Sequence, residues 1–347
     1  MSSQSDETIK RKKDHIEICL NEDVGFSSIT TGFENYYFEH NAITEIDFNK
    51  IDLTTKFLKK KINYPFLISC MTGGTSEAEK INEYLAIAAK QLNIPIGVGS
   101  QRQALENDKY ISSYQIIREN AGGVPILSNI GAAQVSQIKS IDQYKRIVEL
   151  VNASALVIHV NPLQELIQKN GEPNFKGLLK NIERLVKKIG IPIIVKEVGS
   201  GISKIAAKKL LDIGVYGIDV AGAGGTSWAQ VELKRNKEEN EYFRNWGLPT
   251  SYCIRQIKAL KSKYKFSLIA SGGISNGIDI AKSIALGADL TASARPLLKI
   301  VMNKGVDGVV SEITSWFDDV KKIMYLTGSK NLKELSKQKL IHRTEIY

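Results

Sequence analysis

Residues 191–220 read Ile191-Pro-Ile-Ile-Val195, then Lys196-Glu-Val-Gly199, then the stretch Ser203 to Ile213, then Gly214, and finally Gly217-Ile-Asp-Val220. The first run is continuously apolar rather than alternating, the pattern of a strand buried on both faces of a parallel sheet. Pro192 suits a strand entry. Ser203 to Ile213 is amphipathic at helical spacing, and Gly214 stands where a helix C′ glycine is expected. Strand, polar exit, helix, glycine and strand make one β/α unit.

Outward from this unit the same rhythm repeats. Short β-rich runs occur at Phe66 to Cys70, Ile94 to Val98, Val124 to Ser128, Ala155 to Val160, Ser267 to Ala270 and Asp289 to Ala292. Pro65, Pro95 and Pro125 open three of them as Pro192 does. Helical stretches lie between, at Glu77 to Gln91, Ile141 to Asn152, Phe175 to Ile189 and Asn276 to Leu286, and Gly190 and Gly287 close two of these. Eight units spaced roughly 22 to 50 residues apart predict a closed (β/α)8 barrel. The alternative, an open doubly wound sheet, lacks its early Gly-x-Gly-x-x-Gly turn here. The expected division is an arm, residues 1–62, and a barrel, residues 63–347. The arm reads as polar and irregular, with a short strand or helix near Ile43 to Leu53. Gly222 to Lys265 reads as a long loop followed by a helix, and Thr327 to Tyr347 as a docking helix or a frayed end.

Composition narrows the function. Of 347 residues, 43% are hydrophobic and 24% charged, ordinary for a soluble globular protein, and the net charge is +10. Binding to nucleic acid would account for that charge, but the lysines are spread among helices and form no stripe interleaved with aromatics. Cys19, Cys70 and Cys253 are too far apart for a zinc site and odd in number for a disulfide framework. The four histidines, His15, His40, His159 and His342, show no metal spacing. The charged start lacks the apolar segment of a signal peptide, and no apolar run nears the ~18 residues of a membrane span. The expectation is a soluble, cytoplasmic protein.

Barrel enzymes build their sites just past the C-terminal ends of the strands. Here those exits are polar or glycine-rich: Met71-Thr-Gly-Gly74, Gly99-Ser-Gln-Arg102, Ser128-Asn-Ile-Gly131, His159-Val-Asn-Pro-Leu-Gln-Glu165, Lys196-Glu-Val-Gly199, Ala221-Gly-Ala-Gly-Gly-Thr226, Ser271-Gly-Gly273 and Ser293-Ala-Arg295. Glycine lets backbone N–H groups approach a phosphate, and the last two exits form the usual phosphate site of such barrels. Gly272, Gly273 and Arg295 fit that role; tight turns alone would also account for the glycines. A flavin needs polar partners at its ring, and Asn129 and Lys196 can supply them. Lys196 could equally pair with Glu197. His159, Asn161, Gln164 and Glu165 form the densest polar cluster. Glu165 can ligate Mg2+, or can simply favour the first turn of a helix. Arg11-Lys-Lys-Asp-His15 is either a solvated run or a clamp for an anionic substrate.

These segments, with Gly222-Ala-Gly-Gly-Thr-Ser-Trp228 and Trp246-Gly-Leu-Pro-Thr250, together resemble the type 2 isopentenyl-diphosphate isomerases over nearly the whole chain. The resemblance implies an FMN enzyme that interconverts isopentenyl and dimethylallyl diphosphate with Mg2+, NADPH to reduce the flavin, and no net redox change. It assigns FMN to Met71, Thr72, Gly73, Ser100, Asn129, Lys196, Thr226, Gly272, Gly273, Ala294 and Arg295. It assigns the diphosphate substrate to Arg11, Lys12, Ser100, Gln101, Arg102 and Gln164, assisted by His15, with His159 and Asn161 beside them. Glu165 takes the metal. Gln164 and Glu232 are the candidates for a substrate-side proton network. The family often has Ser at the place of Ala221 and Arg at that of Ser275. It also implies a homo-oligomer, tetramer or octamer. The rival on the same barrel is an FMN-dependent 2-hydroxy-acid or dihydroorotate-type oxidoreductase.

Overall fold

The computed structural model describes residues 4–238 and 240–347. Eight parallel strands close into a barrel in the order β7-β8-β1-β2-β3-β4-β5-β6. They are β1 Phe66–Ile68, β2 Ile96–Gly97, β3 Ile126–Gly131, β4 Ala155–His159, β5 Ile193–Lys196, β6 Gly217–Asp219, β7 Ser267–Ala270 and β8 Leu290–Ser293. Closure is made by β8 on β1, with Ser293 opposite Ile68. Each of the eight expected runs coincides with one strand, and three strands continue past their runs, β3 to Gly131, β5 to Lys196 and β8 to Ser293.

Inside the barrel Leu67, Leu127, Ala155, Val157, Ile194 and Ile269 pack together. The hairpin of Thr55–Phe57 and Lys60–Ile62 adds Phe57 and Ile62 to this cluster, so part of the arm plugs the barrel. The outer core lies between the strands and the helices. The helices are α1 Gln4–Asn21, α2 Ser76–Leu92, α3 Ser112–Asn120, α4 Asp142–Leu150, α5 Pro162–Ile167, α6 Leu178–Lys188, α7 Lys204–Asp212, α8 Trp228–Asn236, α9 Thr250–Lys258, α10 Gly277–Leu286 and α11 Arg295–Leu326, with shorter ones between. Gly190, Gly214 and Gly287 have φ of 85°, 86° and 118°, the left-handed backbone that ends a helix.

Three expectations change. The arm is not irregular: residues 4–21 form an 18-residue helix. Its inward face carries Arg11, Lys12, His15, Ile16 and Cys19, a mixed stripe that apolar periodicity alone does not reveal. The loop after β6 holds α8 and a further short helix, Glu241–Arg244, before α9. The tail is not frayed: a short helix, Leu332–Leu335, docks with Leu335 fully buried, and beyond it Leu340–His342 pairs antiparallel with Tyr36–Phe38, tying the chain's end to the arm. No described helix is long and apolar enough to cross a membrane.

Candidate active site

A cavity of about 650 Å3 opens at the C-terminal ends of the strands, a size ordinary for a cofactor and small-molecule site. Every site residue named from the sequence lines it except two. Gln101 is fully buried in the wall: its Nε2 donates to the Ile147 carbonyl at 2.9 Å, and its Oε1 accepts from Ser128 Oγ and the Asn129 N–H. Glu232 sits one layer back, on α8.

The exits of β6 and β7 approach backbone to backbone. A Cβ on Gly225 would lie 2.4 Å from Gly273 N, and one on Gly272 would lie 2.1 Å from Gly222 O. The glycines are required for this contact, which leaves a floor of bare backbone under the cavity. Beside it α11 begins after Ala294, which offers no side-chain cap. The helix's first N–H groups are a ready place for an anion. Arg295 also lines the cavity, but its Nε and Nη2 donate to the Cys19 and Glu22 carbonyls at 2.8 and 2.9 Å, clasping the end of α1. The backbone floor, the uncapped helix start and the volume fit FMN.

Lys196, at the end of β5, donates to the carbonyl of Glu197 at 2.7 Å and not to its carboxylate. That carboxylate instead accepts the N–H groups of Val198, Gly199 and Ser200 at 2.5–2.6 Å. Burial pushes Glu197 up to about 6, against those three bonds and the charge of Lys196. The Lys196 ammonium therefore has no ion-pair partner within 4.0 Å among the described residues. His159 Nδ1 lies 2.7 Å from Asn129 Oδ1. Burial first, then the charges of Lys196 and Lys12, lower His159 to about 3, so it is neutral at physiological pH. Neutral, and donating from Nδ1, it keeps Nε2 as an acceptor.

The second group of residues is cationic. Arg11 and Lys12 come from α1, and Arg102 follows β2. Burial and then the neighbouring Arg102 lower the pKa of Arg11. Arg102 is bridged to Glu106 and Glu172, each at 2.8 Å. Glu165 accepts from Asn161 Nδ2 at 3.0 Å and from the Glu172 N–H at 2.8 Å. The described residues contain no group of three or more His, Cys, Asp or Glu side chains placed to hold a metal. A cation here would rest on Glu165 and ligands brought by the substrate, the usual way Mg2+ is bound.

Behind the wall lies a hub. Glu232, with no exposed side-chain surface, accepts from His15 Nε2 at 2.8 Å, Gln164 Nε2 at 3.1 Å and Arg235 Nη1 at 2.7 Å. With its amide oriented to suit both neighbours, Gln168 donates to Glu232 at 3.1 Å and accepts from Arg11 Nη1 at 2.8 Å. Gln168 was missed in the sequence. It lies one helical turn beyond Gln164, and that i, i+4 spacing is the signal that could have found it. Trp228 packs edge-on against His15 with centroids 5.1 Å apart. His15 is therefore held by two residues one turn apart on the same face of α8.

The fold and the site together define a flavin-binding barrel. A family model described as FMN-dependent dehydrogenase matches residues 120–342. Solved structures similar to the chain include a lactate oxidase from Pediococcus acidilactici, with TM-score 0.71, 16% identity and coverage of 97% of this chain and 93% of that one. A mandelate oxidase variant carrying an FMN adduct matches with TM-score 0.68 and 16% identity, over 98% of this chain and 100% of that one. At such identity these share the fold alone. The chain is 46% identical over 350 residues to the isopentenyl-diphosphate delta-isomerase of Pelodictyon phaeoclathratiforme, covering 96% of this chain and 97% of the relative. It is 43% identical to that of Nostoc sp., over 99% of each. Within the FMN-dependent barrels, the chain belongs to the isopentenyl-diphosphate delta-isomerase family, and it is an isomerase.

Proposed function

We propose that the enzyme interconverts isopentenyl diphosphate and dimethylallyl diphosphate, with reduced FMN as acid–base cofactor, Mg2+ on the diphosphate, and NADPH as the source of flavin reduction. The observation that carries this reading is the convergence of Arg11, Lys12 and Arg102 with Glu165 in the same cavity as the bare-backbone floor of β6 and β7. Two anion sites of different character in one cavity suit a phosphorylated cofactor and a diphosphate substrate.

FMN would rest its phosphate on Gly272, Gly273 and the start of α11. Its ring would lie among Met71, Thr72, Gly73, Ser100, Asn129, Lys196 and Thr226. Reduced flavin, when bound, supplies a proton donor and acceptor at N5, which ordinary side chains cannot match at an unactivated alkene. The chain's own residues do the rest. Arg11, Lys12, Arg102 and Ser100 hold the diphosphate, and Glu165 orients its metal. Helix α1 lies across the mouth and excludes water while positive charge develops on the substrate carbon. Gln164 is held at both ends, accepting from Asn161 Nδ2 at 3.0 Å and donating to Glu232 at 3.1 Å. Held in this way, it supplies the polar contact for the substrate's exchanging hydrogens, with Glu232 and His15 positioning it from behind and His159 and Asn161 beside it.

The test is an anaerobic incubation of isopentenyl diphosphate with the FMN-loaded enzyme, reductant and Mg2+, followed by product identification. Dimethylallyl diphosphate formed with only priming amounts of NADPH is expected. NADPH consumed mole for mole, or no such product, would reject the reading and favour an FMN-dependent oxidoreductase.

A further inference from the structure

We propose that Tyr114, outside the cavity lining, is the positioning residue for Lys12: its hydroxyl holds the Lys12 ammonium at the junction of the β1 and β2 exits, where the substrate's phosphates are received. The proposal rests on the diphosphate-binding part of the functional reading.

Tyr114 lies on α3 and is completely buried. Its ring supports the β1 exit so closely that a Cβ on Gly73 would lie 2.2 Å from Tyr114 Cε1. Its hydroxyl donates to the Ser100 carbonyl, in the β2 exit, at 2.8 Å. That leaves oxygen lone pairs for Lys12 Nζ, which donates to the hydroxyl at 3.1 Å. Lys12 also donates to the Gly73 carbonyl at 2.5 Å and to the Ser100 carbonyl at 3.3 Å. Tyr114 therefore touches three segments of the site: the arm helix and both exits.

The chemistry of Lys12 makes the hydroxyl more than a packing group. All three ammonium partners are neutral oxygens, and no described carboxylate lies within 4.0 Å of it. The charged or titratable groups around it are Arg11 on α1, Arg102 and Glu106 after β2, His159 at the end of β4, and Tyr114 itself. Burial first, then the repulsion of Arg11, lower Lys12 to about 7. A diphosphate anion binds the charged form, so affinity depends on how much of Lys12 is protonated. A hydrogen bond to the charged form favours it. Removing the hydroxyl lowers the lysine's pKa further. The ring's support of Gly73 is kept by phenylalanine, so the two roles separate cleanly.

The experiment titrates inorganic diphosphate calorimetrically into FMN-loaded wild type and Tyr114→Phe at pH 6 and pH 8. The ratio of the two affinities cancels the ligand's own titration. One hydrogen bond to the charged ammonium corresponds to about tenfold weaker binding by the variant at pH 8, where Lys12 must take up a proton to bind the anion, and to a smaller loss at pH 6. FMN content stays unchanged, and the melting temperature falls by only about 2 °C. In a Lys12→Met background the same Tyr114 substitution leaves a ratio of one at both pH values. A ratio that is the same at pH 6 and pH 8, near one or not, overturns the proposal, as does one that persists without Lys12. Product formation by the wild type is scored separately. A pH-dependent ratio in an enzyme that forms no dimethylallyl diphosphate sinks the reaction and keeps Tyr114. A pH-independent ratio in an active isomerase sinks Tyr114 alone.

Discussion

Replacing Glu232 with glutamine removes one charge from the centre of the hub and little volume. Burial by itself raises the pKa of this carboxyl. The bond and charge of His15, then the bonds from Gln164 and Arg235, reverse that and take it from the usual 4.5 to about 2. At about 1.4 kcal/mol for each tenfold change in proton affinity, the ionised form contributes about 3 kcal/mol to the folded state. Breaking a buried charged pair from one side costs a similar amount. The folded-state pKa is depressed, so this contribution is complete above the unfolded value near 4.5 and is lost as pH falls toward 2. The gap between wild type and Glu232→Gln is therefore about 3 kcal/mol at pH 7 and about half that near pH 3. For a chain of this length the pH 7 gap is a drop of about 4 °C in melting temperature. Because His15 belongs to α1 while Gln164 and Arg235 belong to the barrel side, part of the loss appears as undocking of the arm. Trypsin cleavage at Arg11, Lys12 and Lys13 in the native protein should accelerate at least tenfold, measured on FMN-loaded enzyme by mass spectrometry. A variant that melts within 1 °C of wild type and is cut no faster would show that Glu232 does not hold the arm.

Other outcomes follow from the same geometry. Gly272→Ala must move its Cβ from 2.1 Å to an ordinary distance of 3.4 Å or more from the Gly222 carbonyl, at a φ of +97°. FMN affinity, followed by flavin fluorescence, should fall at least about tenfold with the β6 and β7 exits forced apart, and a change under twofold would count against the phosphate floor. Glu165→Gln should raise the Mg2+ needed for half-maximal turnover at least about tenfold while FMN affinity stays unchanged; equal loss of FMN would make Glu165 structural. His159, lowered to about 3 by burial and by Lys196 and Lys12, should keep constant imidazole nitrogen NMR shifts between pH 5.5 and 8. A titration centred near 6.5 would place it in a different environment.

The barrel was legible because its physics is local and repeated. A strand buried on both faces must be a continuous apolar run, and a helix that turns back sharply needs a glycine, as at Gly190, Gly214 and Gly287. The site's lining was legible because a barrel fixes which end of each strand faces the cavity. What stayed hidden depends on contacts between distant segments. Glu232 stands out as a candidate, but in a stretch that reads as a long loop, and only the folding of α8 against α1 and α5 buries it behind the cavity wall. Gln101 looked like its neighbours Ser100 and Arg102, but a one-residue step along the exit points it into the wall. Tyr114 belongs to no motif, and its hydroxyl gains meaning only when Lys12 arrives from a helix more than a hundred residues earlier in the chain.

Helix α1 shows why a face can be invisible to periodicity and still be specified. Arg11, Lys12, His15, Ile16 and Cys19 fall on one side of a helix, yet three of the five are basic, so no apolar stripe exists to detect. That composition is what a helix needs when its partner is a substrate cavity rather than a core. Ile16 and Cys19 are buried against the barrel, at 5% and 6% exposure. Arg295 clasps the helix end through the Cys19 and Glu22 carbonyls. The cations are then left facing the cavity. Each buried cation costs desolvation that neither Ile16 nor Arg295 offsets. On the proposed reading, a diphosphate that neutralises Arg11 and Lys12 adds to the docking of the arm, so inorganic diphosphate should slow trypsin cleavage at Lys12 and Lys13 of the wild type; cleavage at an unchanged rate would count against the arm as part of the substrate site.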